Sequence, residues 1–356
     1  MTPSGGLAPV IKLLEACNLA CTYCYQSELL ARRTVMREDT LDRVLSEVAR
    51  VSPGPMQILW FGGEPTMAGL PFFRRALDMA RRHVGPNVRH AIQTNATLVD
   101  DAWAALLAEH RFTVTVSMDG PAELHDASRL RMGGRGSHDL VVRGLDAMRR
   151  HGVRPRASCV VSPCTLPHPE RLVDYFSALD LPEIDFPPAM RFVRGTTECL
   201  VAPADYGHFM VRVLERWLAL GRTDFRVRSL AGLARAMAGK APSFCKLEAG
   251  CARYVTFAHN GDVYPCDEFS GMEGHLLGNV LDASLDVLLG SERAMALHEA
   301  WTAIPQACAE CRWREMCRGG CPFERRVNGG VDQRSVVCEG LKILYARMAE
   351  EVPAAV

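Results

Sequence analysis

The sequence predicts an α/β protein, with a parallel sheet and helical crossovers in its first half and a loop-rich, cysteine-rich segment in its second. Three observations carry this. Between about Val10 and Pro188, short apolar runs alternate with longer amphipathic stretches. The stretches between runs are long enough to bring the chain back parallel, which takes about a dozen residues. The cysteines are grouped: three at Cys17, Cys21 and Cys24, and eight between Cys245 and Cys338.

The strands expected are Val10–Leu14, Gln57–Phe61, Val88–Gln93, Thr113–Ser117, Arg156–Val161 and Glu183–Phe186. Helical periodicity fills the gaps at Arg37–Val51, Pro71–Val84, Asp101–His110, Asp139–His151 and Pro169–Leu179. In such units chemistry gathers at the C-terminal ends of the strands. A helical stretch from about Asp205 to Ala238 reads as a linker. The segment beyond it has Gly-rich turns and few continuous apolar faces, so metal is its plausible organiser. The division expected is a barrel over 1–200, a linker over 201–240, a cysteine-rich domain over 241–345 and a tail over 346–356.

Composition narrows the partners. The chain has 356 residues, and 41 Lys+Arg balance 41 Asp+Glu, so composition makes no case for nucleic acid or an anionic membrane. The N-terminus has no basic region followed by an apolar one, and nowhere do 18 uncharged apolar residues run together. A cytoplasmic protein is expected. In that compartment clustered cysteines point to metal rather than disulfides.

Cys17-x3-Cys21-x2-Cys24 occupies the loop leaving the first strand. Three thiolates there can hold three corners of a cubane iron–sulfur cluster and leave one iron open. A structural zinc site wants a fourth close ligand, and the nearest His in sequence is His83. The second group runs Cys245-x5-Cys251-x14-Cys266, then Cys308-x2-Cys311-x5-Cys317-x3-Cys321-x16-Cys338. Eight thiolates make two complete sets of four, which spacing alone leaves open to zinc or iron. Cys159, Cys164 and Cys199 lie outside every motif and read as incidental thiols.

The three-cysteine motif with its aromatic Tyr23, together with Trp60-Phe61-Gly62-Gly63-Glu64-Pro65 after the second strand, resembles the radical S-adenosylmethionine (SAM) superfamily. The resemblance covers about residues 9–190. It implies a partial (β/α)6 TIM-like barrel whose cluster binds SAM and generates a 5′-deoxyadenosyl radical. It further implies cofactor-binding roles for Tyr23, Gly62, Gly63 and Glu64, the last accepting from the SAM ammonium. Gln93, Asn95, Ser117 and Asp119 end the third and fourth strands and suit the ribose and the carboxylate of SAM. Arg129 and Arg143 are candidates for the carboxylate's cation.

Cys251-x9-Gly261-x4-Cys266, with the cysteines that follow, is similar to the SPASM domain of radical SAM enzymes. By that pattern Cys245, Cys251, Cys266 and Cys321 would hold one auxiliary cluster, and Cys308, Cys311, Cys317 and Cys338 the other. That gives three 4Fe-4S clusters in all, one SAM-binding and two auxiliary. The resemblance also makes Asp267, beside a cluster cysteine, the candidate catalytic base.

SPASM enzymes mostly modify peptides or proteins, so the partners expected are such a substrate and a flavodoxin- or ferredoxin-like one-electron donor. The layout resembles anaerobic sulfatase-maturating enzymes, which form formylglycine from Cys or Ser. It departs from them in two places: Cys24-Tyr25-Gln26 stands where they show Cys-Phe-Tyr, and Phe61 stands where they place Gln. These departures favour a maturase of ribosomal peptide natural products, with a leader-peptide recognition protein as a separate partner. Formylglycine formation and small-molecule dehydrogenation are the alternatives.

Overall fold

The computed structural model describes residues 6–27, 34–193, 196–242, 244–248 and 251–351. Its strands are β1 (Ala8–Lys12), β2 (Leu19–Cys21), β3 (Gln57–Phe61), β4 (Arg89–Thr94), β5 (Thr113–Ser117), β6 (Arg129–Arg131) and β7 (Arg156–Ser158). There follow β8 (Glu183–Asp185), β9 (Met190–Val193), β10 (Thr196–Cys199), β11 (Arg226–Val227), β12 (Tyr254–Phe257), β13 (Asp262–Tyr264) and β14 (Gly278–Asn279). The main sheet has the order β11-β8-β7-β5-β4-β3-β1-β12-β13-β14 and is parallel from β11 to β12. The six strand–helix units thus form as expected, and the fold is the partial barrel with its cysteine-rich extension.

Alternation along the strands gives the sheet two faces. Ile11, Ile58, Trp60, Ile92, Val114, Val116, Ala157 and Ile184 belong to the main core, which they share with the helix residues Leu41, Phe73, Leu107, Leu145 and Phe176. Leu59, Phe61, Ala91, Gln93, Thr115, Ser117, Ser158 and Asp185 face the other way and are only half-buried. That second face is the open lumen. Apolar burial against the helices fixes the register, and the register delivers polar side chains to the lumen rim.

Two later segments complete this frame. Residues expected as a linker form the helix Pro203–Leu220, the edge strand β11 and the helix Arg228–Met237. Tyr206, Phe209, Met210, Val213 and Leu214 of the first helix are core residues. The cysteine-rich segment is also not an independent unit: β12 pairs in parallel with β1, and β13 and β14 continue the sheet. Its final helix, Cys338–Glu351, lies on Pro203–Leu220 so closely that a Cβ on Gly340 would meet the Pro203 carbonyl oxygen at 2.0 Å. Residues 346–351, expected in a tail, belong to that helix, and 352–356 lie outside the described residues.

Candidate active site

The loop after β1 carries Cys17, Cys21 and Cys24, and backbone pairing holds it open. Its strand β2 pairs antiparallel with β6, which sets Cys21 opposite Arg129. The Leu19 N–H donates to Cys17 Sγ (3.4 Å), Asn95 Nδ2 donates to the same sulfur (3.7 Å), and the Arg129 side chain hydrogen-bonds Cys21. Burial pushes the Cys17 thiol up to about 12 and the Cys21 thiol up to about 11. Donors aimed at sulfur suit thiolates bonded to a cationic metal cluster.

The Gly62-Gly63-Glu64 strip supports that loop directly. The Gly63 N–H donates to Leu14 O (3.1 Å) and the Glu64 N–H to Ala16 O (2.8 Å). A Cβ on Gly62, whose φ is 133°, would stand 2.6 Å from Leu14 O, so this glycine is required by the approach of the cysteine loop itself. Glu64 is fully buried. Its Oε1 accepts from Thr66 N, Thr66 Oγ1 and Thr94 Oγ1, and its Oε2 from Asn95 N at 2.6 Å. The carboxylate expected at the SAM ammonium is thus largely engaged within the chain, and only Oε2 retains room for a further donor.

Other expected contacts divide sharply. Gln93 and Ser117 stand half-exposed on the lumen face. Asn95 spends its amide on Cys17, on Asn18 (2.9 Å) and on Thr97 (2.7 Å), so it braces the cysteine loop. Asp119 is fully buried and accepts from the Tyr23 hydroxyl, from Arg129 Nη2 (3.1 Å) and from Val160 N (2.9 Å), which leaves it unavailable to a ribose. Tyr23 and Arg129 are committed to the same cluster, with the guanidinium over the Tyr23 ring. Arg143 lies on the outer surface, 70% exposed and 3.8 Å from Asp139, far from the role expected of it. Sequence spacing missed these commitments largely because the decisive hydrogen bonds, Tyr23 to Asp119, Asn95 to Asn18 and Val160 to Asp119, join residues dozens of positions apart.

The lumen is capped by the residues around Asp267. That carboxylate follows Cys266, lies 3.9 Å from its sulfur, and accepts from the Tyr25 hydroxyl at 3.3 Å. Burial raises its pKa, opposed by the charge of Lys12 and the Tyr25 hydrogen bond. Lys12 ends β1 in register with Phe61 and is 1% exposed, with no hydrogen-bond partner at its Nζ. Its electrostatic neighbours are Asp267, Glu15, Cys24 and Cys266, and burial lowers its pKa. Glu268, next in sequence, is pushed up to about 7 by burial and by Asp267. Lys12 was passed over in the sequence, although a charged residue inside the apolar run Val10–Leu14 is a signal in itself.

The eight remaining motif cysteines line two cavities. Cys245, Cys251, Cys266 and Cys321 line one with Tyr254, Phe269 and Trp301. Cys308, Cys311, Cys317 and Cys338 line the other with Trp313 and Tyr345, and Cys317 also borders the first. Among the described residues no three His, Cys, Asp or Glu side chains form a single-ion site.

Comparison with known proteins gives the same division. Residues 11–173 match the radical SAM superfamily and residues 249–312 an iron–sulfur cluster-binding domain, SPASM. The chain is a radical SAM enzyme with a SPASM domain. Its cofactors are accordingly SAM and 4Fe-4S clusters. A cysteine-type anaerobic sulfatase-maturating enzyme of Clostridium perfringens is 29% identical over 86% of this chain and 86% of its own length. A serine-type enzyme of the same description from Bacteroides thetaiotaomicron is 28% identical over 94% of this chain and 87% of its own. The solved structure of native anSMEcpe with bound AdoMet and Cp18Cys peptide superposes with a TM-score of 0.87 at 27% identity, covering 98% of both chains. Within the radical SAM domain of this chain, the three-cysteine loop and the lumen rim are the places that fit the cluster and SAM. In the SPASM part, Cys245, Cys317, Cys321 and Cys338 lie outside the matched residues yet line the same two cavities as the others.

Proposed function

We propose that this radical SAM enzyme oxidises a Cys or Ser side chain of a protein substrate to formylglycine, as a sulfatase-type maturase. The observation that carries the reading is Asp267: a half-buried carboxylate beside a cysteine of one four-cysteine cavity, hydrogen-bonded to Tyr25 of the three-cysteine loop. Cys17, Cys21 and Cys24 would hold the cluster and the lumen rim the SAM, and together these would supply the radical chemistry that takes a hydrogen atom from the substrate carbon. Completing a two-electron oxidation then requires loss of one electron and one proton, which gives the aldehyde directly from Ser and, from Cys, a thioaldehyde that water would hydrolyse with release of hydrogen sulfide. Asp267 would take the proton, with Tyr25 orienting the carboxylate and Lys12 balancing its charge. The adjacent Cys266 would lead the electron to an auxiliary cluster, and an external one-electron donor would reduce the SAM-binding cluster. Gln93 and Ser117 would bind SAM from the lumen face.

Both departures from the sulfatase-maturating pattern have a place in this scheme. Tyr25 presents a hydroxyl to Asp267, and Phe61 lines the lumen beside Lys12. Neither weighs toward a natural-product maturase, and the similarity to sulfatase-maturating enzymes over most of the chain favours formylglycine formation.

The test is anaerobic incubation of reconstituted enzyme with SAM, reductant and sulfatase-derived peptides bearing Cys, Ser or Ala. An aldehyde captured by hydrazide from the Cys or Ser peptide is expected. Loss of two hydrogens as a crosslink, without aldehyde, would establish the natural-product reading instead.

A further inference from the structure

We infer that Arg325 is the shared positive charge of the two auxiliary cluster sites and sets the reduction potential of both. The side chain lies behind Trp301, which lines one cavity, and Gly319, which lines the other. It belongs to the short helix Pro322–Val327, which starts directly after Cys321, and it is 1% exposed. Nη1 donates to Ala303 O at 3.0 Å and Nη2 to Trp301 O, while Nε is buried without a partner. Trp301 lines the cavity of Cys245, Cys251, Cys266 and Cys321. A Cβ at Gly319 would stand 3.7 Å from Nη1, and Gly319 lines the cavity of Cys308, Cys311, Cys317 and Cys338. The guanidinium therefore lies against residues that line each cavity without lining either itself, and its electrostatic neighbours are Cys321 and Cys251 from one set and Cys308 and Cys317 from the other.

An arginine in such a place needs a reason. Burying a guanidinium is costly unless negative charge surrounds it, and its hydrogen bonds run to neutral carbonyls. The half-buried Lys246 nearby is matched by the buried Glu324. Arg325 has no carboxylate partner among the described residues, so the anions it faces are the thiolates. Net charge and hydrogen bonding around a cluster are principal determinants of its potential. A fixed positive charge at low dielectric favours the reduced, more negative cluster. In the proposed reaction this would make both clusters better acceptors of the electron leaving the substrate, and the strip Cys317–Cys321, which borders both cavities, would be the bridge between them.

The inference rests on the two ligand sets and is independent of the substrate. It is tested by EPR-monitored redox titration of the full-length, anaerobically reconstituted enzyme and of Arg325→Met and Arg325→Lys. Removing the charge with Met should lower both auxiliary potentials and leave the SAM-binding cluster unmoved, while Lys should retain most of the wild-type values. Iron and sulfide analysis accompanies each titration, so that misassigned ligand sets show themselves as an iron deficit in the wild type. Should Arg325→Met fail to hold its clusters, Arg325→Gln decides, because it keeps a donor for the Trp301 and Ala303 carbonyls without the charge. Unchanged potentials in the neutral variant, or a shift confined to one cluster, would overturn the inference.

Discussion

Asp267 illustrates how one side chain is given a task by its surroundings. Alone, an Asp in a short turn would face solvent and stay ionised. Here burial penalises the anion and raises the pKa, opposed by the charge of Lys12 and the Tyr25 hydroxyl, which is the setting the proposed base requires. Asp267→Asn preserves shape and most hydrogen bonding but removes basicity. Iron content and SAM cleavage should stay near normal, while peptide oxidation drops by roughly 10²-fold or more, the scale of a positioned acid–base group. Quantifying 5′-deoxyadenosine and oxidised peptide in the same reaction separates the two effects. Wild-type peptide turnover in that variant would remove Asp267 from the mechanism.

At the scale of elements, the segment after β5 works as a brace. His125 accepts from the Asp119 N–H at Nδ1 (3.2 Å), and its Nε2 lies 3.0 Å from Ser137 Oγ, which donates to Arg129 O (2.6 Å). This chain fixes Arg129, and through it Cys21. Burial lowers the His125 pKa to about 3, and a proton on Nδ1 would break the bond from Asp119. An unfolded His titrates near 6.5, so the stability held by neutral His125 is fully present above that pH. It is lost as the pH falls toward about 3, by an amount on the order of a few kcal/mol. His125→Asn should be less stable at pH 8 yet lose less stability on acidification, as read from urea unfolding midpoints at pH 8, 6 and 5. Packing of the helix Pro203–Leu220 against Cys338–Glu351 offers a second test. Gly340→Ala forces backbone apart at a contact of 2.0 Å and should cost about 1–3 kcal/mol, visible as a lower melting temperature and, because Cys338 opens that helix, as lost iron.

For the whole molecule, eleven motif cysteines at three sites predict about 12 irons per chain, four for each cluster. About four irons with tightly bound zinc would show the second group to be zinc ligands. Replacing Cys17, Cys21 and Cys24 by Ala should abolish SAM cleavage. Replacing Cys308 and Cys311 should spare 5′-deoxyadenosine formation while final product is lost. The sheet makes this separation meaningful, since β12 is built directly on β1 and places the first auxiliary cavity beside the lumen without sharing cysteines with the SAM-binding loop. No helix among the described residues is long and apolar enough to cross a membrane.

What the sequence determined by itself was whatever depends on short range. Strands such as Gln57–Phe61 and Thr113–Ser117, and the helices between them, follow from local apolar periodicity, and the cysteine groups follow from spacing within a loop. Tertiary structure decided the rest. It bound Glu64 to Thr66 and Thr94, closed Asp119 upon Tyr23 and Arg129, and left Arg143 at the surface. It also turned a loop-rich tail into three strands of the barrel sheet and brought Lys12, Tyr25 and Asp267 together across more than 240 positions. The physical reason is that periodicity records which face of an element is buried, whereas the partner of a polar side chain is set by the path of the whole chain. Identical residue types at strand ends can therefore become ligand contacts or internal braces, and only the assembled fold distinguishes them.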